Sequence, residues 1–189
     1  RIIDRSKDNM LKVSTDGRKA ALDLRLVNRT QPQDETCKIR RCAENVLYLY
    51  RKYPHCSQII FCDYSTPKKD RFNVYSELKE HLVEQGIPQE DIAFIHSYQA
   101  EASRLSLYEK VNTGNIRILI GSTFKLGIGA NVQTLLKAIH HLDVPWRPAD
   151  MVQREGRIIR KGNHNNEIHI FRYITEGSFD SYSWQLLET

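Results

Sequence analysis

A basic segment near the end of the chain has the residue types of an anion-binding site. It extends from Gln153 to Gly162 and contains Arg157 and Arg160. On a helix, with about 100° between successive residues, Gln153, Arg157 and Arg160 share one narrow stripe. Two guanidinium groups three residues apart can hold a phosphate through charge-assisted, forked hydrogen bonds. A solvated basic face, with both arginines paired to carboxylates, explains the same spacing without any ligand.

The opposite half of this predicted helix is apolar. Met151, Val152, Ile158 and Ile159 all fall on it. A surface helix buries its apolar half and turns its polar half toward solvent. We therefore expect a helix over 148–160 that buries these four side chains and points the glutamine and the two arginines outward.

Strands and helices alternate along most of the chain. Short apolar runs predict buried strands at 58–62, 92–95, 116–120, 138–142 and 167–173. Helices are expected over 34–53, 70–85, 101–111 and 148–160, with a helical turn after Asn131 and a last helix capped by Ser178. This alternation indicates an α/β fold whose parallel sheet is covered on both faces. Sites in such sheets lie at the carboxyl ends of the strands.

The first part of the chain lacks this pattern. Residues 1–33 are polar and are expected to form an irregular arm or a connection between lobes, and the folded domain is expected to span 34–189. Asp34 is the predicted N-cap of the first helix. The acidic residues at this point follow no strand, so capping explains them better than a magnesium site does.

Composition limits the classes of function. The chain has 189 residues and a net charge of +5, which fits either a slightly basic soluble protein or one that contacts a polyanion. Its four cysteines include no C-x-x-C pair, so we expect no metal site and free thiols in a reducing cytoplasm. The sequence contains no stretch of 18 apolar residues, so it predicts no membrane span. Because the chain begins without Met, we interpret it as a piece of a longer polypeptide.

Two segments match motifs of one family. The pattern Gln-x-x-Gly-Arg-x-x-Arg-x-Gly at 153–162 matches motif VI of superfamily 2 helicases and translocases. About thirty residues upstream, the glycine-rich segment 121–133, which begins Gly-Ser-Thr, resembles motif V. Each motif is short, but their order and spacing are those of the family.

Further segments extend the resemblance to about residues 35–188. Residues 58–65 resemble motif IV, and 141–149 resemble the aspartate, tryptophan and proline segment of Swi/Snf-type ATPases. His96 and Ser97, with Arg104, fall where the next motif is expected, and 171–180 resemble the strand and helix that follow motif VI. The chain thus resembles the second lobe of a Swi/Snf-related DNA-dependent ATPase, of the kind found in large bacterial, phage or mobile-element helicase–methylase polypeptides.

The resemblance implies a fold and a set of roles. The fold is a RecA-like three-layer α/β sandwich with a mostly parallel central sheet. Arg160 would be the arginine finger, Arg157 its companion at the γ-phosphate, and Gln153 would orient nearby groups. The nucleotide would be covered by Gly127, Gly129 and Asn131. The nucleic-acid candidates are Ser122, Thr123, Lys125, Tyr64, Ser65, His96 and Ser97, although Ser122 and Thr123 could simply cap a turn.

The chain has no phosphate-binding signature of its own. G-x-x-x-x-G-K-[ST] is absent, so ATP and Mg²⁺ would be bound only together with an N-terminal RecA-like lobe of the same polypeptide. The expected partners are that lobe and double-stranded DNA, and the chain alone would be inactive. The alternatives are a non-catalytic nucleic-acid-binding or protein-interaction module on the same fold, and another nucleotide-using α/β enzyme such as a sugar transferase.

Overall fold

The computed structural model describes residues 9–32, 34, 37–68, 71–127 and 129–188. The strands are β1 (Ser57–Phe61), β2 (Ile92–Phe94), β3 (Ile118–Gly121), β4 (Leu136–His141) and β5 (His169–Arg172). The helices are α1 (Met10–Leu22), α2 (Lys38–Lys52), α3 (Val74–Glu84), α4 (Glu101–Asn112), α5 (Thr123–Gly127), α6 (Pro148–Glu155) and α7 (Phe179–Glu188). Within the described ranges, no helix has the length and hydropathy needed to cross a membrane.

The five strands form one parallel sheet in the order β2-β3-β1-β4-β5. At its centre, Ile59 of β1 is in register with Leu119 of β3 and Ile139 of β4. Because neighbouring side chains of a strand point to opposite faces, Ile59 and Ile60 belong to different core clusters. The α/β fold predicted from alternating strands and helices is therefore confirmed.

Each face of the sheet is covered by its own helices. One cluster joins Ile60 and the neighbouring strands to α2 and α3, for example through Val46 and Leu78. The other joins Ile59 to α4 and α5, for example through Leu107 and Leu126. The result is the three-layer arrangement that buries strands on both sides.

Four expectations about the elements were wrong. Residues 10–22 form a helix, capped by the Asn9 side chain, where an irregular arm was predicted. Helix α2 begins at Lys38, with Cys37 rather than Asp34 at the N-cap position. Helix α6 ends at Glu155 rather than at residue 160. The other predicted strands and helices exist with boundaries shifted by a few residues, except that the short helix α5 precedes Asn131 instead of following it.

Strand β4, next to the central strand β1, contains a buried neutral histidine. The Nδ1 atom of His140 lies 2.9 Å from the Tyr173 hydroxyl, and its Nε2 atom lies 2.9 Å from Oε1 of Gln58. Asn45 donates to the Tyr173 oxygen, so the hydroxyl proton is available to Nδ1, and Nε2–H can donate to Gln58. Burial, together with the neighbouring imidazoles, lowers the pKa of His140 to about 3.

This histidine should make the protein less stable in mild acid. The unfolded chain binds a proton at His140 near pH 6.5, whereas the folded chain does not, so the free energy of unfolding falls as the pH falls below 6.5. The free energy of unfolding, measured with urea, should therefore fall between pH 7.5 and pH 5. This fall should be about 2 kcal/mol smaller in His140→Gln than in the wild type. The exposed His164, changed to Gln, is the matched control and should keep the wild-type loss. An equal loss in wild type and His140→Gln would contradict the assignment.

Candidate functional site

A buried arginine occupies the edge of the sheet at which the parallel strands end, here called the carboxyl edge. Arg154 of α6 has a side chain with 0% exposure. Its Nε donates to Oγ1 of Thr123 at 2.7 Å, and its Nη2 donates to Asp63 at 2.7 Å and to Asp143 at 3.1 Å. Its Nη1 donates to the Asp143 carbonyl at 2.9 Å and lies 3.3 Å from Nδ1 of His141. All five N–H groups of the guanidinium therefore face a partner.

The two carboxylates around Arg154 also bind the backbone of neighbouring loops. Asp63 accepts from the amide and the hydroxyl of Thr123, at 2.6 and 2.7 Å. Asp143 accepts from the amides of Tyr64, at 2.9 Å, and of Asp63. The loops that follow β1, β3 and β4 are thus joined through one guanidinium and two carboxylates.

The electrostatics of this cluster follow from its burial. Burial and the charge of Asp63 raise the pKa of Asp143, while Arg154 opposes that rise. Burial disfavours the charged form of Arg154, but the carboxylates of Asp143 and Asp63 outweigh it and raise the pKa of the guanidinium. The arginine is therefore charged at all physiological pH values and holds both carboxylates in place.

Three of the predicted nucleic-acid residues lie at this edge with their hydroxyl groups already engaged. Thr123 donates to Asp63 and accepts from Arg154. The hydroxyl of Ser122 lies 3.5 Å from Nε2 of His96, and that of Ser65 accepts from the Val74 amide that begins α3. Ser65, Ser122 and Thr123 are all at least 93% buried. The structure places them where they shape the loops, and their hydroxyls face protein groups.

The other four nucleic-acid candidates are more accessible. Tyr64, His96 and Lys125 are half-buried, and Ser97 is exposed. Burial and the charge of Lys125 lower the pKa of His96. The loops after β2 and β3 are in contact, since Nε2 of His96 lies 3.5 Å from the hydroxyl of Ser122. The carboxyl edge therefore brings together the residues that follow β1, β2 and β3.

The motif VI residues do not lie on one helix. The amides of Arg157 and Ile158 donate to the carbonyls three residues earlier, at 3.3 and 3.0 Å, so the chain tightens into turns after Glu155. The predicted stripe of Gln153, Arg157 and Arg160 is therefore broken. The predicted burial was also wrong for part of the apolar half, since Val152 and Ile159 are 69% and 66% exposed. Of the four apolar residues, Ile158 is buried and Met151 is half-buried.

The turns separate the glutamine from the arginines. Gln153 lines an open cleft of about 510 Å³ at the carboxyl edge, together with Ser122 and Thr123. Arg157 is half-buried and donates to the Ala130 carbonyl at 2.6 Å. Burial, together with the positive charge of the exposed Arg160 three residues later, lowers the pKa of Arg157, and Tyr108 opposes that shift.

The glycine-rich segment after α5 lies beside these arginines. Gly129 is exposed and has a φ of +70°, a left-handed conformation that favours glycine. Ala130, whose carbonyl binds Arg157, is buried, and Asn131 is exposed with its carbonyl bound by Asn112 at 2.6 Å. Gly127 ends α5. The structure thus brings the predicted nucleotide-covering loop to the predicted phosphate-binding arginines.

Sequence reasoning missed Arg154, Asp63 and Asp143. The signal for the aspartates was present, because each directly follows a buried apolar strand and so lies at the carboxyl edge. The signal for the arginine was weaker. On the predicted helix, Arg154 lies at the border of the apolar half. An arginine side chain is buried at such a position only if carboxylates pair with its charge.

Removing the guanidinium should destabilise the protein strongly. Arg154→Met leaves the buried carboxylate of Asp143 and the half-buried one of Asp63 without a counter-charge, so the free energy of unfolding should fall by about 3–5 kcal/mol in chemical denaturation. Adding Asp63→Asn and Asp143→Asn should restore part of that loss, because the remaining amides are uncharged. Arg41→Met, at an exposed ion pair with Glu44, is the matched control and should have a much smaller effect. An Arg154→Met protein as stable as the control would show that the cluster does not depend on this charge.

Comparisons with known proteins agree with this architecture. Residues 38–162 match the family described as "Helicase conserved C-terminal domain". The chain is 33% identical over 105 residues to the "Defense against restriction protein B" of Escherichia phage P1, a match that covers 52% of this chain and 5% of that protein. The chain therefore spans a small part of this curated relative.

Two solved structures share the fold. The C-terminal part of the Fun30 ATPase domain superposes with a TM-score of 0.63 at 19% identity, over 84% of this chain and 49% of that one. The C-terminal domain of the DEAD-box protein Dbp5 gives a TM-score of 0.57 at 20% identity, over 80% and 76% of the two chains. These likenesses confirm the RecA-like α/β fold expected from the sequence. The chain belongs to the helicase conserved C-terminal domain family.

Proposed function

We propose that this chain is the second lobe of a DNA-dependent ATPase related to Swi/Snf translocases, and that it supplies the arginine finger and part of the DNA-binding surface. It would hydrolyse ATP only with an N-terminal lobe that holds the phosphates and Mg²⁺. The observation that supports this most is that Arg157, three residues before the exposed Arg160, is held by the Ala130 carbonyl next to Gly129.

Two guanidinium groups three residues apart fit a polyphosphate. Burial and the charge of Arg160 both disfavour the charged form of Arg157 and lower its pKa, and a bound anion would stabilise that form. Perturbed groups of this kind cluster at functional sites. The pair also borders Gly129, which lacks a side chain and lets another group approach the backbone.

The proposed roles differ for the two arginines. Arg157 is fixed by the Ala130 carbonyl, so it would hold a constant position beside the γ-phosphate. Arg160 is exposed and would reach the nucleotide as the finger once the partner lobe delivers it. ATP would supply the phosphoryl group, and Mg²⁺ would offset part of its charge. An arginine finger stabilises the transition state and so increases the rate of hydrolysis by about 10³–10⁵-fold.

The remaining candidates fit around this pair. Gly127, Gly129 and Asn131 would cover the nucleotide. Gln153 lies in the cleft at the carboxyl edge, so it would orient groups between the nucleotide and the DNA rather than act beside the finger. This placement modifies the role expected from a common helical stripe.

The DNA would lie along the carboxyl edge. Tyr64, His96, Ser97 and Lys125 are the accessible candidates there, and contacts to phosphates would bind duplex DNA without sequence preference. Ser65, Ser122 and Thr123 would position these loops through their internal hydrogen bonds. The net charge of +5 supports a polyanionic partner.

The setting of the parent protein is also a proposal. Similarity to a phage protein supports a large polypeptide of the phage or mobile-element kind. The free thiols of the four cysteines support a cytoplasmic location.

The finger assignment is tested in the intact two-lobe protein. Arg160→Ala should lower the DNA-stimulated rate of ATP hydrolysis by about 10³-fold or more, because the transition state loses its cation, while nucleotide affinity changes little. Phosphate release and binding of a fluorescent nucleotide measure the two effects. Arg51→Ala is the matched control, since Arg51 is exposed at the end of α2, next to the start of β1 and on the opposite side of the sheet.

Retention of more than about a tenth of the wild-type turnover by Arg160→Ala would refute the finger assignment. A wild-type protein that binds DNA but shows no ATPase activity would instead favour the non-catalytic module.

The DNA-binding edge is tested by salt dependence. Lys125→Ala should weaken duplex binding and lower the slope of log K against log salt concentration by about 1, because one phosphate contact is lost. Fluorescence anisotropy at several salt concentrations measures both quantities. Lys52→Ala, exposed at the end of α2, should leave the slope unchanged. Equal slopes for Lys125→Ala and wild type would place the DNA elsewhere.

A further inference from the structure

Helix α1 lies outside residues 38–162, which match the family, yet it packs tightly on the rest of the molecule. Ala21 and Leu22 are buried, and the Thr175 hydroxyl donates to the Ala21 carbonyl at 2.8 Å. Gly17 faces Phe179 of α7 so closely that a Cβ atom would lie 3.3 Å from the ring. The position of α1 is therefore fixed by α7 and by the segment before it.

This docking brings one arginine of α1 to the carboxyl edge. The guanidinium carbon of Arg18 lies 4.5 Å from the ring centroid of Trp146, and 5.7 and 5.8 Å from those of Phe179 and Tyr64. Its Nη1 atom donates to the carbonyls of Val144 and Pro145, at 3.4 and 3.5 Å. Arg18 thus contacts both the ring of Trp146 and the backbone that leads to it.

The loop that Arg18 contacts begins at the Arg154 cluster. Asp143, bound by Arg154, directly precedes Val144, so one end of the loop is anchored inside the sheet edge. Its other end enters α6. Between these two points, Trp146 is 50% exposed, and a cation over its ring restricts where the indole can lie.

We propose that Arg18 is a positioning residue for the DNA-binding edge: from α1, it holds Trp146 and its loop in the orientation that duplex DNA meets. The role rests on the proposed function, in which DNA lies along the carboxyl edge. The planar guanidinium is needed because it stacks on an aromatic ring and donates to two carbonyls at once, which an ammonium group does less well. Charge alone would not achieve this.

The contact itself can be tested without DNA. The chain contains two tryptophans, so Trp184→Phe leaves Trp146 as its only tryptophan, whose fluorescence can be excited selectively over that of the tyrosines. In that background, Arg18→Gln should raise the acrylamide quenching constant of Trp146 by about 1.5- to 2-fold, because the cation no longer covers the ring. Lys12→Gln, an exposed basic residue on the same helix, should leave the quenching constant unchanged. Unchanged quenching in Arg18→Gln would overturn the proposal.

The functional consequence is measured with fluorescent duplex DNA at low salt. Arg18→Gln and Arg18→Lys should both weaken binding by about three- to tenfold, since the first loses the contact with the ring and the two carbonyls and the second cannot make both parts of it at once. Lys12→Gln should bind as wild type does. Circular dichroism and the thermal midpoint verify that each variant is folded. If Arg18→Gln is unstable, Arg18→Lys, which keeps the charge, serves as the test variant.

The outcomes separate this role from the function on which it rests. If wild type binds DNA and Arg18→Lys binds equally well, Arg18 acts only through its charge and the positioning role is wrong. If quenching rises in Arg18→Gln but DNA affinity does not change, the loop has no part in binding and the role is again wrong. If wild type does not bind duplex DNA, the DNA-binding edge itself is refuted, and the positioning role is refuted with it.

Discussion

The structure depends on a positive charge buried where three strands end. A guanidinium that is out of contact with water must be met by carboxylates and by an acceptor for every N–H, or the folded state loses several kcal/mol. Arg154 meets this demand with Asp63 and Asp143, the hydroxyl of Thr123, one carbonyl and Nδ1 of His141. Because these partners come from the loops after β1 and β3 and from the end of β4, satisfying one side chain joins the three central strands at the carboxyl edge.

The inward orientation of Arg154 also affects where the neighbouring polar residues of motif VI lie. Arg154 turns inward, so Gln153 beside it faces the cleft at the carboxyl edge. The chain then tightens into turns, which bring Arg157 to the Ala130 carbonyl. A helix continued to residue 160 would have placed all three polar side chains on one stripe. Because of the turns, Gln153 lies at the carboxyl edge, whereas the segment with Arg157 and Arg160 lies beside the glycine-rich loop.

The sequence predicts the sheet better than it predicts this site. Buried strands have a local signature, a short apolar run, and all five were found from it. The burial of Arg154 has no local signature, because its partners lie at positions 63, 123 and 143 and meet only in the folded chain. Residues 10–22 were expected to be irregular for a related reason. Only Ala21 and Leu22 are fully buried there, so tertiary contacts rather than an apolar stripe stabilise α1.

The packed unit is wider than the stretch that matches the family. Leu22, before residue 38, and Tyr173, after residue 162, both belong to the cluster that covers one face of the sheet. A buried ion pair between Lys38 of α2 and Asp180 of α7 joins the beginning of the matched stretch to a helix beyond its end. Since removing one partner of such a pair leaves an uncompensated charge, α7 is part of what holds α2 in place. Helices α1 and α7 are thus structural supports of the motif-bearing loops, which the family match alone does not show.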